Sequence, residues 1–408
     1  MSIALNIIHA SQLVTVRGPL RARRGPELRD IGIIRDGALT IRNGIIEWVG
    51  PTDELADKTA PEFDASGKVV LPGFIDSHTH AVFARTRADE FEWRIQGMPY
   101  MEILAHGGGI LSSVKATGDA PVLHVQLAER FFEHGTTTIE AKSGYGLNLE
   151  TEIRMLEAMR MEPNLEVVPT YLGAHALPSE YVHNRSAFVD NVIDDLNTIA
   201  GRKLAEFCDV FVEPGAFTPD EARRIFAKAR SLGLQIKIHA DEFQSSGGAA
   251  LAVEVGATSA DHLGSITDTD IQRIAVSDVV ATLLPATLFM LGEQRYAPAR
   301  KLIDCGAAVA LATDFNPGTS PTLNMQFVLS LACTQMKMTP AEAITAATIN
   351  SACAVRREHR LGSIEPGKQA DVSVYDLPDY REIPYFAAVN FCLRTFKRGQ
   401  SMWRKTSD

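Results

Sequence analysis

The sequence predicts a (β/α)8 TIM-like barrel carrying a small β-sandwich domain built from both termini. Three observations predict it. Eight short apolar runs recur through the middle of the 408-residue chain, most of them ending in ionisable residues. Segments with helical start signals lie between those runs. The two ends of the chain instead read as strands and turns. Strands alternating with helices suit a parallel sheet, and eight of them suit a closed barrel, whose active site gathers at the C-terminal strand ends. A doubly wound open sheet is the rival, because periodicity does not count closure.

The elements follow in order. The opening MSIALNIIHASQLVTV has no cationic leader and no long apolar core, so it reads as a strand rather than a signal peptide. In ALTIRNGIIEWVG, two apolar runs flank Asn43-Gly44, a strong hairpin signal. The eight central runs are VVLPGFIDSHTH, TTTIEAKSGYG, LEVVPTYLGAH, CDVFVEPG, LQIKIHADE, TSADHLG, VVATLLPATL and AAVALATDFNPG. Before ARRIFAKARSLG, Thr218 is placed to N-cap a helix, Pro219 suits its first position and Glu221 completes a capping box, with Gly233 at the helix end. Thr339-Pro340-Ala341-Glu342 repeats that start before AITAATINSACAV. After Gly362, GSIEPGKQADVSVYDL and FKRGQSMWRK return to turn and strand. The expected division is 1–70 and 359–408 as two parts of the sandwich domain, with 71–358 as the barrel.

Bulk properties exclude some functions. The formal net charge of −10 argues against a general nucleic-acid or anionic-membrane binder, though a small anion held by one local arginine remains compatible. No apolar run reaches the roughly 20 residues of a membrane span. The five cysteines are scattered, odd in number and free of any CxxC, as expected for reduced thiols in a cytoplasmic protein.

The chemistry concentrates at strand ends. His78 and His80 are two apart, so in a strand they share a face and can point at one centre. Alone, that pair is as compatible with two core histidines as with a ligand pair. His239 ends the fifth run, His262 the sixth, and Asp314 follows the apolar part of the eighth, which favours a shared centre. Imidazole nitrogens with a carboxylate suit zinc or non-haem iron, and these donors do not separate the two. Asp314 and Glu242 are candidates to move a proton, and His262 to polarise a carbonyl, since a further protein ligand would crowd a catalytic ion. No GxSxG elbow or Walker A loop is present, and HGGGI at His106–Ile110 reads as a glycine turn.

With these residues in place, the chain resembles the amidohydrolase superfamily: PGFIDSHTH, the later histidines, the TD of the last run and the GSIEPGKQADVSVYD flank are its pattern. HTHAVFARTRADEFEWR, GGGI, AKSGYGL, YLGAHALP, KIHADEF and DFNPGTSP narrow the resemblance to the branch that opens the ring of 4-imidazolone-5-propanoate to N-formimidoyl-L-glutamate in histidine degradation. The resemblance implies one Zn2+ or Fe3+ per subunit on His78, His80, His239 and Asp314, and a homodimer. It makes Glu242, His262 and Asp314 catalytic. It puts Arg87 on the substrate carboxylate, with Tyr100, Tyr145, His175, Glu242, Asn316, Gly318 and Thr319 as further substrate contacts. A deaminase of a neutral heterocycle is the near rival, and it has no need of Arg87. A non-catalytic protein with a structural metal is the distant one.

Overall fold

The computed structural model of the chain describes residues 4–99, 102–103 and 106–405. Its centre is a run of eight parallel strands that neighbour one another in chain order: β1 (Phe74–Thr79), β2 (Thr136–Lys142), β3 (Glu166–Ala174), β4 (Phe207–Val212), β5 (Gln235–Ala240), β6 (Ser259–His262), β7 (Val280–Leu283) and β8 (Ala308–Leu311). The ends meet just past β8. There the Asp314 N–H donates to the His78 carbonyl at 3.0 Å, and the His80 N–H to the Phe315 carbonyl at 2.8 Å. These two bonds bring the last strand to the first, and the sheet is a nearly closed barrel.

Two starts expected of helices are present in full. Thr218 and Thr339 each accept the backbone N–H three residues on, while Glu221 and Glu342 reach back to the cap, and Pro219 and Pro340 occupy the first turn. Gly233 has φ 86° just past the helix Pro219–Ser231, a conformation that favours glycine. The segment after Thr339 differs from the expected single helix. It stops at Ala346 and restarts as Ile349–Ala354, with Thr348 between them at φ −124° and ψ −95°. The restart carries the Asn350 side chain to the Arg23 and Val309 carbonyls, at 3.0 and 2.8 Å. Two buried acceptors are thereby satisfied, at the expense of helical continuity.

The run VVLPGFIDSHTH is also two elements. Val69–Pro72 pairs antiparallel with Val372–Tyr375, and only the part after Gly73 enters the barrel as β1. A Cβ at Gly73 would collide with the Thr137 side chain, so the crossing needs glycine. Val69–Pro72 belongs to a six-stranded sheet with Gln400–Arg404, Cys392–Lys397, Val372–Tyr375, Gln12–Val14 and Ile33–Ile34. A four-stranded sheet holds Ala4–Ala10, Gly37–Arg42, Ile45–Pro51 and Glu62–Asp64. Asn43 and Gly44 turn its hairpin at φ 50° and 81°. Ile7, Leu39 and Ile41 pack against Val70, Val372, Val374 and Phe396, giving one apolar sandwich core from both chain ends. Each such side chain contributes about 1.5–3 kcal/mol of transfer free energy. No helix among the described residues is long and apolar enough to cross a membrane.

Candidate metal centre

Strand alternation turns His78 and His80 inward from the end of β1. His239 does the same from β5, and His262 is the last residue of β6. Asp314 stands three residues past β8 at φ 55°, held by its bond to the His78 carbonyl. His262 and Leu263 take successive positive φ values of 79° and 61°, a strained exit that carries the imidazole toward the same centre. The ligand atoms of His78, His239 and His262 lie within 4.8 Å of one another, and so do those of His78, His80 and Asp314. His80 and His239 approach at 3.4 Å between their Nε2 atoms, and Asp314 Oδ1 is 3.6 Å from the Nε2 of both His78 and His80. All five groups are buried.

The geometry around the centre sets the tautomers. His78 Nδ1 is 2.7 Å from Asp261 Oδ2, and His239 Nδ1 is 3.0 Å from Asp209 Oδ2. A ring N–H donated to a carboxylate leaves Nε2 as an acceptor. His78 Nε2 is buried with no partner, as is His262 Nε2. Asp314 Oδ2 accepts from the Thr287 hydroxyl at 2.6 Å, which leaves Oδ1 facing the histidines. The Nε2 lone pairs of His78 and His239, with Asp314 Oδ1 facing them, fit a cation bound by N and O donors. Burial holds the imidazoles of His78, His80 and His262 well below their ordinary pKa and raises the Asp314 carboxyl to about 6. Neutral imidazoles are the ligand form, and a cation would draw Asp314 back to its carboxylate.

Glu242, two residues past β5, lies 3.5 Å from His262 Nδ1 through Oε1. Burial first, then Asp314 and Glu213, push its carboxyl well above the usual range. The turn that carries it is fixed by Glu213, which accepts the N–H groups of Glu242 and Gln244 at 3.1 and 2.7 Å. His175 stacks on His80, with ring centroids 4.9 Å apart at 17°, and Tyr145 lies 5.5 Å from His175. His175 Nδ1 faces the Gly144 carbonyl at 3.0 Å, and burial lowers its pKa to about 3. The loop holding Tyr145 is organised by buried Glu152, which accepts from the backbone of Gly144, Gly146 and Leu147.

Arg87 lies at the start of the helix Ala88–Ile95, mostly buried, with Glu90 3.7 Å away and its Nε unpartnered. Its backbone N–H donates to the Pro317 carbonyl at 3.0 Å, and a Cβ on Gly318 would land on the guanidinium. Gly318 is therefore glycine by proximity to Arg87. A cavity of about 160 Å³ adjoins Arg87 and is lined also by Glu90, Trp93, His106, Gly108 and Ser112, so the glycine turn read in HGGGI borders it. Asn316 and Thr319 are spent largely on their own turn: Asn316 Oδ1 accepts from the N–H groups of Gly318 and Thr319, both at 2.8 Å. Tyr100 lies outside the described residues.

Sequence reasoning missed the layer beneath the histidines. Lys142, Glu140, Asp209 and Asp261 are buried inside the barrel, with Lys142 Nζ 2.7 Å from Glu140 and 2.8 Å from Asp209. The available signal was ionisable residues inside otherwise apolar strands, at Glu140 and Lys142 two apart and at Asp261 beside His262.

Comparison with known proteins bears on this arrangement. The model of the amidohydrolase family matches residues 69–402. An imidazolonepropionase from Solibacter usitatus (strain Ellin6076) is 48% identical over 98% of this chain and 99% of its own. Another from Geobacillus kaustophilus (strain HTA426) is 48% identical, with 97% of each chain covered. Among solved structures, E. coli guanine deaminase has a TM-score of 0.69 at 16% identity over 100% of both chains. An adenosine deaminase from Xanthomonas campestris with bound zinc has a TM-score of 0.67 at 19% identity, covering 97% of this chain and 92% of that one. At such identities, these structures speak to the fold.

Proposed function

The chain belongs to the amidohydrolase family and, within it, to the imidazolonepropionases, hydrolases of a cyclic amide in histidine degradation, and we propose how its residues perform that hydrolysis. His78, His80, His239 and Asp314 would hold one Zn2+ or Fe3+. When bound, such an ion supplies Lewis acidity, polarising a carbonyl and acidifying water to a pKa of about 7. The substrate in this reading is 4-imidazolone-5-propanoate, and the product is N-formimidoyl-L-glutamate. The observation that carries it is the convergence of buried histidine nitrogens and the Asp314 carboxyl on one centre.

Water attacks the ring carbonyl carbon. Asp314, a carboxylate beside the bound ion, accepts the water proton and returns it to the ring nitrogen as the carbon–nitrogen bond breaks. Glu242 is held in its neutral acid form, so its hydroxyl faces His262 Nδ1 and its other oxygen is available to a ring N–H. His262 then carries its proton on Nε2 and donates to the oxygen that gains charge. Arg87 offers a two-pronged donor to the propanoate, and Gly318 keeps the space beside that guanidinium open. Tyr145 and His175 wall the ring side of the site.

The test is turnover of 4-imidazolone-5-propanoate by purified protein, followed as loss of its ultraviolet absorbance, with elemental analysis alongside. Substrate loss with one ion per chain is expected. Full metal loading without turnover, together with ammonia release from another heterocycle, would reverse the assignment.

A further inference from the structure

Lys142 ends β2 with its whole side chain inside the barrel, below the histidines. Three buried carboxylates surround its ammonium: Glu140 at 2.7 Å, Asp209 at 2.8 Å and Asp261 at 3.6 Å. Two of these reach different ligands. Asp209 Oδ2 meets Lys142 on one side and His239 Nδ1 on the other, while its Oδ1 accepts the His239 backbone N–H at 3.1 Å. Asp261 Oδ2 meets His78 Nδ1 at 2.7 Å. One cation thus sits behind two carboxylates that orient imidazoles from β5 and β1.

The second buried lysine nearby does not duplicate this. Lys237 Nζ donates to the Ser77 carbonyl at 2.9 Å and the Ala354 carbonyl at 3.4 Å, and reaches Asp261 only at 3.7 Å. Among the described residues, Lys142 is the only ammonium that contacts both Asp209 and Asp261.

We propose that Lys142 is a positioning residue for the metal centre: through Asp209 and Asp261 it fixes the rings of His239 and His78 with Nε2 toward the ion. The inference rests on the ligand reading given above. The physical reason is charge and geometry together. Three carboxylates closed off from water repel one another and need a cation among them. Lys142 also anchors the oxygens that receive the two Nδ1–H groups. Removing it frees those carboxylates to turn, and the two rings lose their common aim. Partners that orient metal-binding histidines typically carry 10–100-fold in metal affinity.

The test measures Zn2+ affinity by chelator competition on the full chain without substrate, together with the visible spectrum of the Co2+-loaded protein. Lys142→Met is expected to bind Zn2+ about 10–100-fold more weakly than the native chain and to give an altered Co2+ spectrum. Lys142→Arg, which keeps a cation there, recovers most of the affinity. Lys397→Met, a buried lysine far from the histidines, loses thermal stability but keeps native Zn2+ affinity. A folded Lys142→Met protein with native affinity and spectrum overturns the proposal, as does Lys142→Arg losing as much as Lys142→Met. Should Lys142→Met fail to fold, the comparison is read on Asp209→Asn, where native affinity overturns it equally. A native chain that binds no Zn2+ or Co2+ instead overturns the ligand reading itself.

Discussion

Lys142 and Lys397 both bury an ammonium among carboxylates, at opposite ends of the barrel. Lys397 reaches Asp371 at 2.6 Å and Glu166, the first residue of β3, at 3.1 Å. Arg360 also pairs with Glu166, and Gln369 with both oxygens of Asp371. Both oxygens of each carboxylate have partners, and the cluster ties the barrel base to the C-terminal strands. Around Lys142 the pattern differs. Glu140 Oε2 and Asp261 Oδ1 lack partners, and so do His78 Nε2 and His262 Nε2 just above. The basal carboxylates are fully paired, whereas the layer under the histidines keeps unpaired acceptors, the pattern expected beside a site that takes an ion.

Breaking each end should therefore give opposite signatures. The largest effect is expected at the mouth. Asp314→Ala should lower kcat by about 10²–10⁴-fold and release the metal, with thermal stability falling to near that of the metal-free native chain, read by turnover, elemental analysis and calorimetry. Retained activity with normal metal content would break the assignment. At the base, Lys397→Met should cost about 3–5 kcal/mol in urea unfolding, because Asp371 is left buried without its cation. Its metal content should match the native chain's.

Arg87→Met comes next. Loss of a paired, mostly buried guanidinium should cost about 2–5 kcal/mol of substrate binding, seen in KM more than in kcat. Gly318→Ala should shift KM in the same direction by displacing that guanidinium, without altering metal content. A kcat effect alone would move Arg87 away from the substrate carboxylate.

The smallest effect concerns acid. Burial raises the Glu166 pKa, but Lys397 and Arg360 outweigh it, and the value falls from 4.5 to about 2. Because the folded value is the lower one, the contribution is fully present above about pH 4.5 and is lost as pH falls toward 2. Its size is at most about 3 kcal/mol. Glu166→Gln should flatten that limb of the stability–pH curve, and an unchanged curve would place the acid sensitivity elsewhere.

The sequence exposed the candidate ligands better than the groups beneath them. His78, His80, His239 and Asp314 were legible because they recur at the ends of successive apolar runs. Asp209, Asp261, Glu140 and Lys142 were not, because an ionisable residue within a strand ordinarily reads as solvent-facing. Only barrel closure turns them inward on one another. The split at Gly73 was hidden for a similar reason: both halves of VVLPGFIDSHTH are buried strands, and pairing with Val372–Tyr375 distinguishes them. The broken helix near Thr348 depends on the distant Arg23 carbonyl, which no local pattern reveals.

The most direct test of the metal centre is anomalous diffraction from crystals of the native chain, recorded at the zinc and iron edges. The expected result is one peak within about 2.0–2.2 Å of His78 Nε2, His80 Nε2, His239 Nε2 and Asp314 Oδ1. A peak bound by other residues, or none in a fully active preparation, would contradict it.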